Sequence, residues 1–378
     1  MPETTQIDVE HMRRALVLAR AAVGMASPNP TVGCLLIKDG HIIGEGAHYY
    51  AAKDHAEVVA LRQAGGEAQG ATAYVTLEPC SHTGRTGPCA DALIAAGIQR
   101  CVVATTDPNP LVSGSGIARL RAAGIEVSVG LCEEEARTLN EAFAKFIQTQ
   151  LPFVTLKAAL STDGRLAPPA TARTARTTFW LTGSNARAHV QRMRHASDAV
   201  LTGVGTVLAD NPALTDRTGL PRRRRLLRVV LDSKLATPPD SKLVTTAKDD
   251  VLLFCSLDAD PVREQALVQH GVQVQRIPSM EEGHLSLSAA LVRLGDRGII
   301  SVMTEAGYRL NGALLQRDLV DKAVLFYAPV SLGEDALPFA EGAPSPGLFE
   351  QYLQRLSRTT YGADTCITGY LHNPWADR

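Results

Sequence analysis

"HAEVVALRQAG", residues 55–65, and "TLEPCSHTGRTGPCADAL", residues 76–93, decide how the first part of this chain is read. His55 and Glu57 stand two residues apart at the start of a helical pattern, and Cys80 and Cys89 follow Pro79 and Pro88. The segment spells a helix over 55–64, a strand over 72–77, a loop, and a helix over 89–96. Upstream, Met12, Leu16, Ala19 and Val23 form an apolar stripe at helical spacing within residues 8–23. "VGCLLIKDGHIIGEG" then reads as a hairpin, two β-rich runs around Asp39-Gly40. Downstream lie a strand at 100–104, a helix at 116–123, a strand at 125–129 and a helix over roughly 132–148, which Leu151-Pro152 breaks. The lone "GSG" at 114–116 reads as a turn into helix 116–123. This alternation predicts an α/β unit, a sheet flanked by helices.

A second alternation starts at "FVTLKAAL", residues 153–160, and runs nearly to the C-terminus. Its strands are expected at 198–202, 226–231, 251–255, 299–303 and 322–328, its helices at 184–195, 262–270, 286–294 and 309–316. The boundary falls near residue 150, giving domains 1–149 and 150–378, in line with about two to three domains for 378 residues.

With 45% hydrophobic residues and a net charge of −1, folded cores are expected rather than disorder. The balance argues against a nucleic-acid partner, which calls for a basic excess. The single basic run, Arg222–Arg225, reads as a solvated loop, with an anion site as the alternative. Seven cysteines at irregular spacing do not suggest a disulfide framework. The polar N-terminus "MPETTQIDVE" is not a signal peptide, and no apolar run approaches the ~18 residues of a membrane helix. A cytoplasmic protein with reduced thiols is expected.

His-x-Glu, then Pro-Cys, then a second cysteine is the pattern of a metal site with an adjacent base. Catalytic zinc keeps three protein ligands of the imidazole and thiolate type and one open position. His55, Cys80 and Cys89 supply the three, with one zinc per chain expected. Zinc lowers the pKa of its water from ~16 towards ~7, and Glu57 can reach that water as a proton shuttle. The same signature marks zinc nucleobase deaminases. Their thiols usually sit as Cys-x-x-Cys, whereas here the insert "SHTGRTGP" separates them and adds Ser81, His82, Thr83 and Arg85, all able to bind phosphate. His82 is a rival ligand. The ordinary alternatives are a structural zinc site, which would have no need of Glu57, or a chance grouping of buried cysteines.

"SPNPTVGCLLIKDG", "HAEVVAL", "TLEPCSHTGRTGPC" and "DPNP" resemble the deaminase half of the bifunctional riboflavin-biosynthesis deaminase/reductases. The resemblance implies a cytidine-deaminase-like three-layer α/β domain, a metal held by His55, Cys80 and Cys89, and Glu57 as the catalytic shuttle. It also implies pyrimidine contacts at Asn29 and His48 and ribose-phosphate contacts at His82 and Arg85. Ser27 stands where the family usually has histidine. Taken alone, Asn29 is a turn residue of Pro-Asn-Pro and His48 a satisfied surface histidine.

In the second half no Gly-x-Gly-x-x-Gly follows a strand. Instead "IISVMTEAGYRLNGALL" runs strand, Glu305-Ala306-Gly307, helix, where the helix N-terminus can face a pyrophosphate. Strand "LLRVVLD" ends at Asp232-Ser233-Lys234, a hydroxyl and a cation suited to a ribose 2′-phosphate and so to NADPH. With "LKAALSTDGRLA", "FWLTG" and "GVGTVLADNPALTDR", these stretches resemble the reductase half of the same family, which is similar to dihydrofolate reductase in fold. The resemblance implies NADPH contacts at Ala159, Trp180, Thr206, Asp210, Ser233 and along Gly307, Tyr308, Arg309, Leu310, Asn311, Gly312 and Ala313. It implies substrate contacts at Lys157, Thr178, Arg194, Leu214, Arg217 and Glu305. "TARTARTTFW" departs from the Gly-Glu-Ser run common before "FWLTG", and "NPALT" replaces "DPALT".

The reading is a homo-oligomeric, two-domain enzyme acting on a small phosphoribosylated pyrimidine with zinc and NADPH, without nucleic-acid or membrane partners. Two other classes remain at this stage. A nucleoside or nucleic-acid deaminase with an accessory nucleotide-binding domain would want a basic, aromatic-rich groove, against only 5% aromatic residues. A non-catalytic zinc scaffold is opposed by Glu57.

Overall fold

Strands of the first unit alternate two apolar faces, and each face collects its own helices. The computed structural model describes residues 5–82, 87–110, 112–172, 174, 176–280 and 283–376. Its first unit comprises Met1–Gln150 with Pro221–Arg224 and Trp375–Arg378; the second comprises Leu151–Leu220 and Arg225–Pro374.

In the first unit, α1 (Gln6–Ala21) starts where the Thr5 hydroxyl accepts from the Asp8 N–H and the Asp8 carboxylate accepts from the Thr5 N–H. β1 (Gly33–Lys38) and β2 (His41–Ala47) form the expected hairpin, with positive φ at both Asp39 and Gly40. α2 (Ala56–Ala64), β3 (Thr72–Val75), α3 (Cys89–Ala95), β4 (Arg100–Val103), α4 (Ser115–Ala122), β5 (Glu126–Val129), α5 (Glu133–Leu139) and α6 (Glu141–Thr149) follow. The sheet order is β2-β1-β3-β4-β5, with β1 antiparallel to both neighbours and the last three strands parallel. Cys34, Leu36, Ala73, Val75, Cys101 and Val103 face a core shared with α2, α3 and α4. The alternate residues Leu35, Ile37, Tyr74 and Val102 face α1 and α5. The unit therefore has three layers. The single helix expected over 132–148 is two, because Asn140 leaves helical geometry (φ −116°).

In the second unit, β6 (Phe153–Leu160), β7 (Arg165–Ala167), α7 (Ser184–Ala196), β8 (Ala199–Gly203), α8 (Val204–Asp210), β9 (Leu227–Leu231), α9 (Lys242–Thr245), β10 (Val251–Cys255), α10 (Pro261–Val268) and β11 (Gln273–Arg276) come first. Then come α11 (Leu287–Asp296), β12 (Ser301–Glu305), α12 (Tyr308–Gln316), β13 (Lys322–Tyr327), β14 (Leu337–Pro338), β15 (Gln354–Tyr361) and β16 (Asp364–Tyr370). The large sheet runs β11-β10-β9-β8-β12-β6-β13-β16-β15. It is parallel from β11 to β13, and the closing β15/β16 hairpin is antiparallel. Neighbouring residues split between two cores: Val200, Val230, Leu253 and Met303 on one face, Leu201, Val229, Leu252 and Val302 on the other. Burial on both faces explains the continuous apolar runs of these strands. The chain runs from β6 past the β12 position to β8 and on to β11 in one direction, then returns to β12 and passes β6 to reach β13 in the other. Such a reversal places ligand sites at the carboxyl ends of the strands beside it.

Candidate functional site

The first unit brings His55, Cys80 and Cys89 together, although they lie on three separate elements. His55 is the N-cap of α2, and Cys89 is the first residue of α3. Cys80 sits on the loop between β3 and α3, where its Sγ accepts from the Cys89 N–H at 3.3 Å. The helix can lie this close to β2 because Gly46 has no side chain: a Cβ there would sit 1.9 Å from the Ala56 carbonyl oxygen. Nδ1 of His55 lies 3.0 Å from Cys89 Sγ and 3.5 Å from Cys80 Sγ. Bond lengths of about 2.0–2.3 Å in a zinc tetrahedron place N and S ligand atoms about 3.6 Å apart. The three donor atoms, all within 4.8 Å of one another, fit that geometry in size and chemistry. His82 is exposed and lies outside this group, so it is not a ligand among the described residues.

Electrostatics separates the roles of the groups. A hydrogen bond from Cys89, with further ones from His55 and the Cys89 backbone, pulls the Cys80 thiol down to about 4; Cys89, which shares the proton, is pushed up. Glu57 is only 2% exposed, and burial pushes its carboxyl up to about 7. It hydrogen-bonds to Cys89, while Oε2 is buried without a protein partner. A buried, unpaired oxygen beside a set of zinc donors fits a base that works on a metal-activated water.

Asn29 and His48 are brought to the same place. His48 is buried rather than a surface residue, and its Nδ1–H donates to the Asp54 carbonyl at 2.9 Å. Its Nε2 therefore accepts from Asn29 Nδ2 at 3.0 Å, and its ring lies edge-on to that of His55, centroids 5.3 Å apart. The loop bearing Asn29 is pinned by Asn140: its Oδ1 accepts from the Thr31 N–H at 2.7 Å and its Nδ2 donates to the Thr31 carbonyl at 3.1 Å. Arg85 lies outside the described residues. Arg222–Arg224 are half-buried in this unit, not a solvated loop. Arg223 stacks 4.1 Å from the Tyr50 ring centroid, and Arg224 Nη2 lies 3.4 Å from Ser27 Oγ.

Glu78 gave no functional signal in the sequence. Its buried carboxylate accepts from the backbone N–H groups of Asp107, Gly114, Gly116 and Ile117 at 2.9–3.2 Å. It thereby ties the Pro79-Cys80 turn to the start of α4. Gly116 is obligatory there, since a Cβ would meet the Pro79 oxygen at 1.8 Å.

The second unit holds a cavity of about 1,100 Å³ at the carboxyl ends of β8, β9 and β12. Lys157, Thr178, Arg194, Leu214, Arg217 and Glu305 line it, as do Ala159, Trp180, Thr206, Asp210, Ser233, Gly307–Leu310 and Ala313. Asn311 and Gly312 do not. Asn311 is fully buried and donates to the Phe339 carbonyl, and Gly312 packs on the Glu341 backbone. Lys234 is exposed and also absent from the lining, where Lys242 appears instead. Thr178, on the stretch that departs from the family's usual run, donates to the Asp210 carbonyl at 3.1 Å. Gly307 opens α12 with no side-chain cap, and Gly307–Leu310 at its start line the cavity, the placement an anion site at a helix N-terminus requires. The size of the cavity and this uncapped turn fit a dinucleotide cofactor.

At the cavity wall Glu305 is braced by two cations. Arg194 Nε donates to Oε1 at 2.5 Å, and Lys157 Nζ lies 3.7 Å from Oε2. Burial opposes its ionisation, but Arg194 and then Lys157 outweigh it and hold the carboxyl at about 2. Burial lowers the Lys157 ammonium.

The cytidine and deoxycytidylate deaminase zinc-binding region profile matches residues 5–105, and the RibD C-terminal domain profile matches residues 152–367. The riboflavin biosynthesis protein RibD of Escherichia coli is 44% identical over 344 residues, 87% of this chain and 89% of the relative. That of Aquifex aeolicus is 43% identical over 329 residues, again 87% and 89%. Among solved structures, RibD of Acinetobacter baumannii (form 1) superposes with a TM-score of 0.81 at 38% identity, covering 96% of this chain and 98% of that one. The Thermotoga maritima diaminohydroxyphosphoribosylaminopyrimidine deaminase/5-amino-6-(5-phosphoribosylamino)uracil reductase superposes at 0.79 with 32% identity and the same coverage. With a zinc-type donor set in one unit, a dinucleotide-sized cavity in the other, and relatives matching along nearly the whole length, the chain belongs to the RibD family of bifunctional riboflavin-biosynthesis enzymes, zinc-dependent deaminase and NADPH-dependent reductase on one polypeptide.

Proposed function

We propose that residues 1–149 deaminate a diaminohydroxyphosphoribosylaminopyrimidine and that residues 150–378 reduce the resulting 5-amino-6-(5-phosphoribosylamino)uracil. The observation that carries the reading is the buried set of His55 Nδ1, Cys80 Sγ and Cys89 Sγ with the protein-unpaired Oε2 of Glu57 at its side. Zinc held there supplies a water acidified to a pKa of about 7. Glu57, whose burial favours proton uptake, takes the water's proton and returns it to the departing amine. The amino group leaves as ammonia and a carbonyl takes its place. Asn29, oriented by His48, contacts the pyrimidine, while His82 and Arg85 take the ribose phosphate end.

NADPH supplies the hydride that converts the ribosyl group to ribityl. Ala159, Trp180, Thr206, Asp210, Ser233 and the start of α12 hold the cofactor. Asn311 and Gly312, on the face of that helix turned away from the cavity, anchor it to residues 339–341. Lys157, Thr178, Leu214 and Glu305 position the substrate, and Arg194 and Arg217 face its phosphate. The near-neutral charge supports a small-molecule substrate over nucleic acid. No helix among the described residues is long and apolar enough to cross a membrane, and we place the enzyme in the cytoplasm.

The test follows ammonia release and NADPH oxidation in one sample of full-length protein. Starting from the diaminopyrimidine, NADPH oxidation should lag behind ammonia and stop when zinc is chelated. Starting from the deaminated compound, it should proceed with or without the chelator. Ammonia release without any dependence of NADPH oxidation on its product would defeat the reading.

A further inference from the structure

One buried hydrogen-bonded pair of the second unit takes no part in the roles above. His195, near the end of α7, and Asp216, on the loop after α8, have side chains only 7% and 8% exposed. Nδ1 of His195 lies 3.0 Å from Asp216 Oδ2 and donates to it, since a carboxylate only accepts. The other oxygen, Oδ1, accepts from both the N–H and the hydroxyl of Thr218, at 2.9 and 2.8 Å. Neither residue lines the cavity, but their neighbours do: Gln191 and Arg194 on α7, Thr215 and Arg217 on the loop.

Side-chain contacts join this loop to α7. Arg194 Nη1 donates to the Thr215 carbonyl at 2.9 Å, His195 holds Asp216, and the Arg217 N–H donates to Gln191 Oε1 at 2.9 Å. The Gln191 bond is exposed and competes with water, whereas the His195–Asp216 bond is shielded. Arg217 lies between two residues, Asp216 and Thr218, that are both tied to one buried carboxylate. The Asp216 carboxylate, held by His195 and binding the Thr218 N–H and hydroxyl, restrains the chain on both sides of Arg217.

We propose that His195 and Asp216 are positioning residues that aim Arg217 at the phosphate of the substrate. The pair thereby sets the preference of the reductase for phosphorylated over phosphate-free pyrimidine. The inference rests on Arg217 being the phosphate contact.

The experiment compares Arg217→Ala, Asp216→Ala and His195→Leu in the full chain. Steady-state reduction is measured with 5-amino-6-(5-phosphoribosylamino)uracil and with its phosphate-free analogue. Arg217→Ala should lower the ratio of kcat/KM between the two substrates by about tenfold or more, as expected for loss of a charged contact. Asp216→Ala and His195→Leu should lower the same ratio by about tenfold, mainly by raising KM for the phosphorylated compound. KM for NADPH should stay near that of the parent, which a general distortion of the unit would not leave in place. If Arg217→Ala leaves the ratio unchanged, the phosphate is held elsewhere and the underlying reading falls with the inference. If Arg217→Ala moves the ratio but the other two leave it alone, or lower both substrates alike, the inference alone is overturned.

Discussion

Glu57 and Glu305 are both carboxylates in buried surroundings, and they are driven in opposite directions. Glu57 has no cation bonded to it, so desolvation prevails and its carboxyl rises to about 7; Glu305, between Arg194 and Lys157, falls to about 2. The first is suited to carry a proton, the second to remain an anion that orders its neighbours. Glu57→Gln keeps the shape but cannot take the water's proton. Zinc content and the reductase rate should be unchanged while deamination falls by ~10²–10⁴; loss of zinc in this variant would make Glu57 a ligand instead. Glu305 leads to a pH prediction. Its folded value lies below the ordinary 4.5, so ionised Glu305 stabilises the fold fully above about pH 4.5, and that contribution disappears as pH falls through about 2. Glu305→Gln should lose about 1–3 kcal/mol at pH 7, the scale of hydrogen bonds to a charged group. Denaturant unfolding should show the gap from the parent closing below pH 4.5; a gap that widens in acid would contradict the ion-pair account.

The elements around the zinc donors are held by contacts between distant parts of the chain. Glu78 receives four N–H groups from residues 107–117, and α4 approaches the Pro79 carbonyl so closely that only glycine fits at 116. Gly116→Ala should push the Pro79-Cys80 turn away from α4 and displace Cys80. Chelator competition should show zinc affinity reduced by about 10–100-fold, the range seen when supports of a metal ligand are lost. The reductase rate should not change, and undiminished zinc affinity would mean that the turn tolerates the shift. The break between α5 and α6 has a similar cause. Asn140 gives up helical geometry where its amide pairs with both backbone groups of Thr31, a partner 109 residues away. A window of local sequence around Asn140 carries no trace of that partner, so a continuous helix was the natural expectation.

The two units differ in what they draw from the rest of the chain. The second has its sheet, its cavity and its three apolar cores built from residues 151–374. The first takes in Pro221–Arg224 and Trp375, whose ring lies under the Arg137 guanidinium at 5.3 Å. A fragment of residues 151–374 should therefore fold cooperatively and reduce the deaminated substrate without zinc. Circular dichroism and NADPH oxidation test this together, and a fragment that remains unfolded would show that its core needs the other half.

Much of this protein is legible from sequence alone because its signals are local. Period-2 and period-3.6 apolar spacing, the Asp39-Gly40 turn and the Leu151-Pro152 break are each set by neighbours within a few residues. His55, Glu57, Cys80 and Cys89 stand out for the same reason: their residue types and spacing already state the chemistry. The β15/β16 hairpin was not legible, since "QRLSRTTY" is exposed along most of its length and carries no apolar run. Nor were the supports: Glu78, Asn140 and the His195–Asp216 pair act through partners 21 to 109 residues away. The burial of Arg222–Arg224, and the turning of Asn311 and Gly312 away from the cavity, were likewise decided by packing. Donor type and spacing are written along the chain, but the distances and desolvation that turn donors into a site exist only once remote segments have packed together.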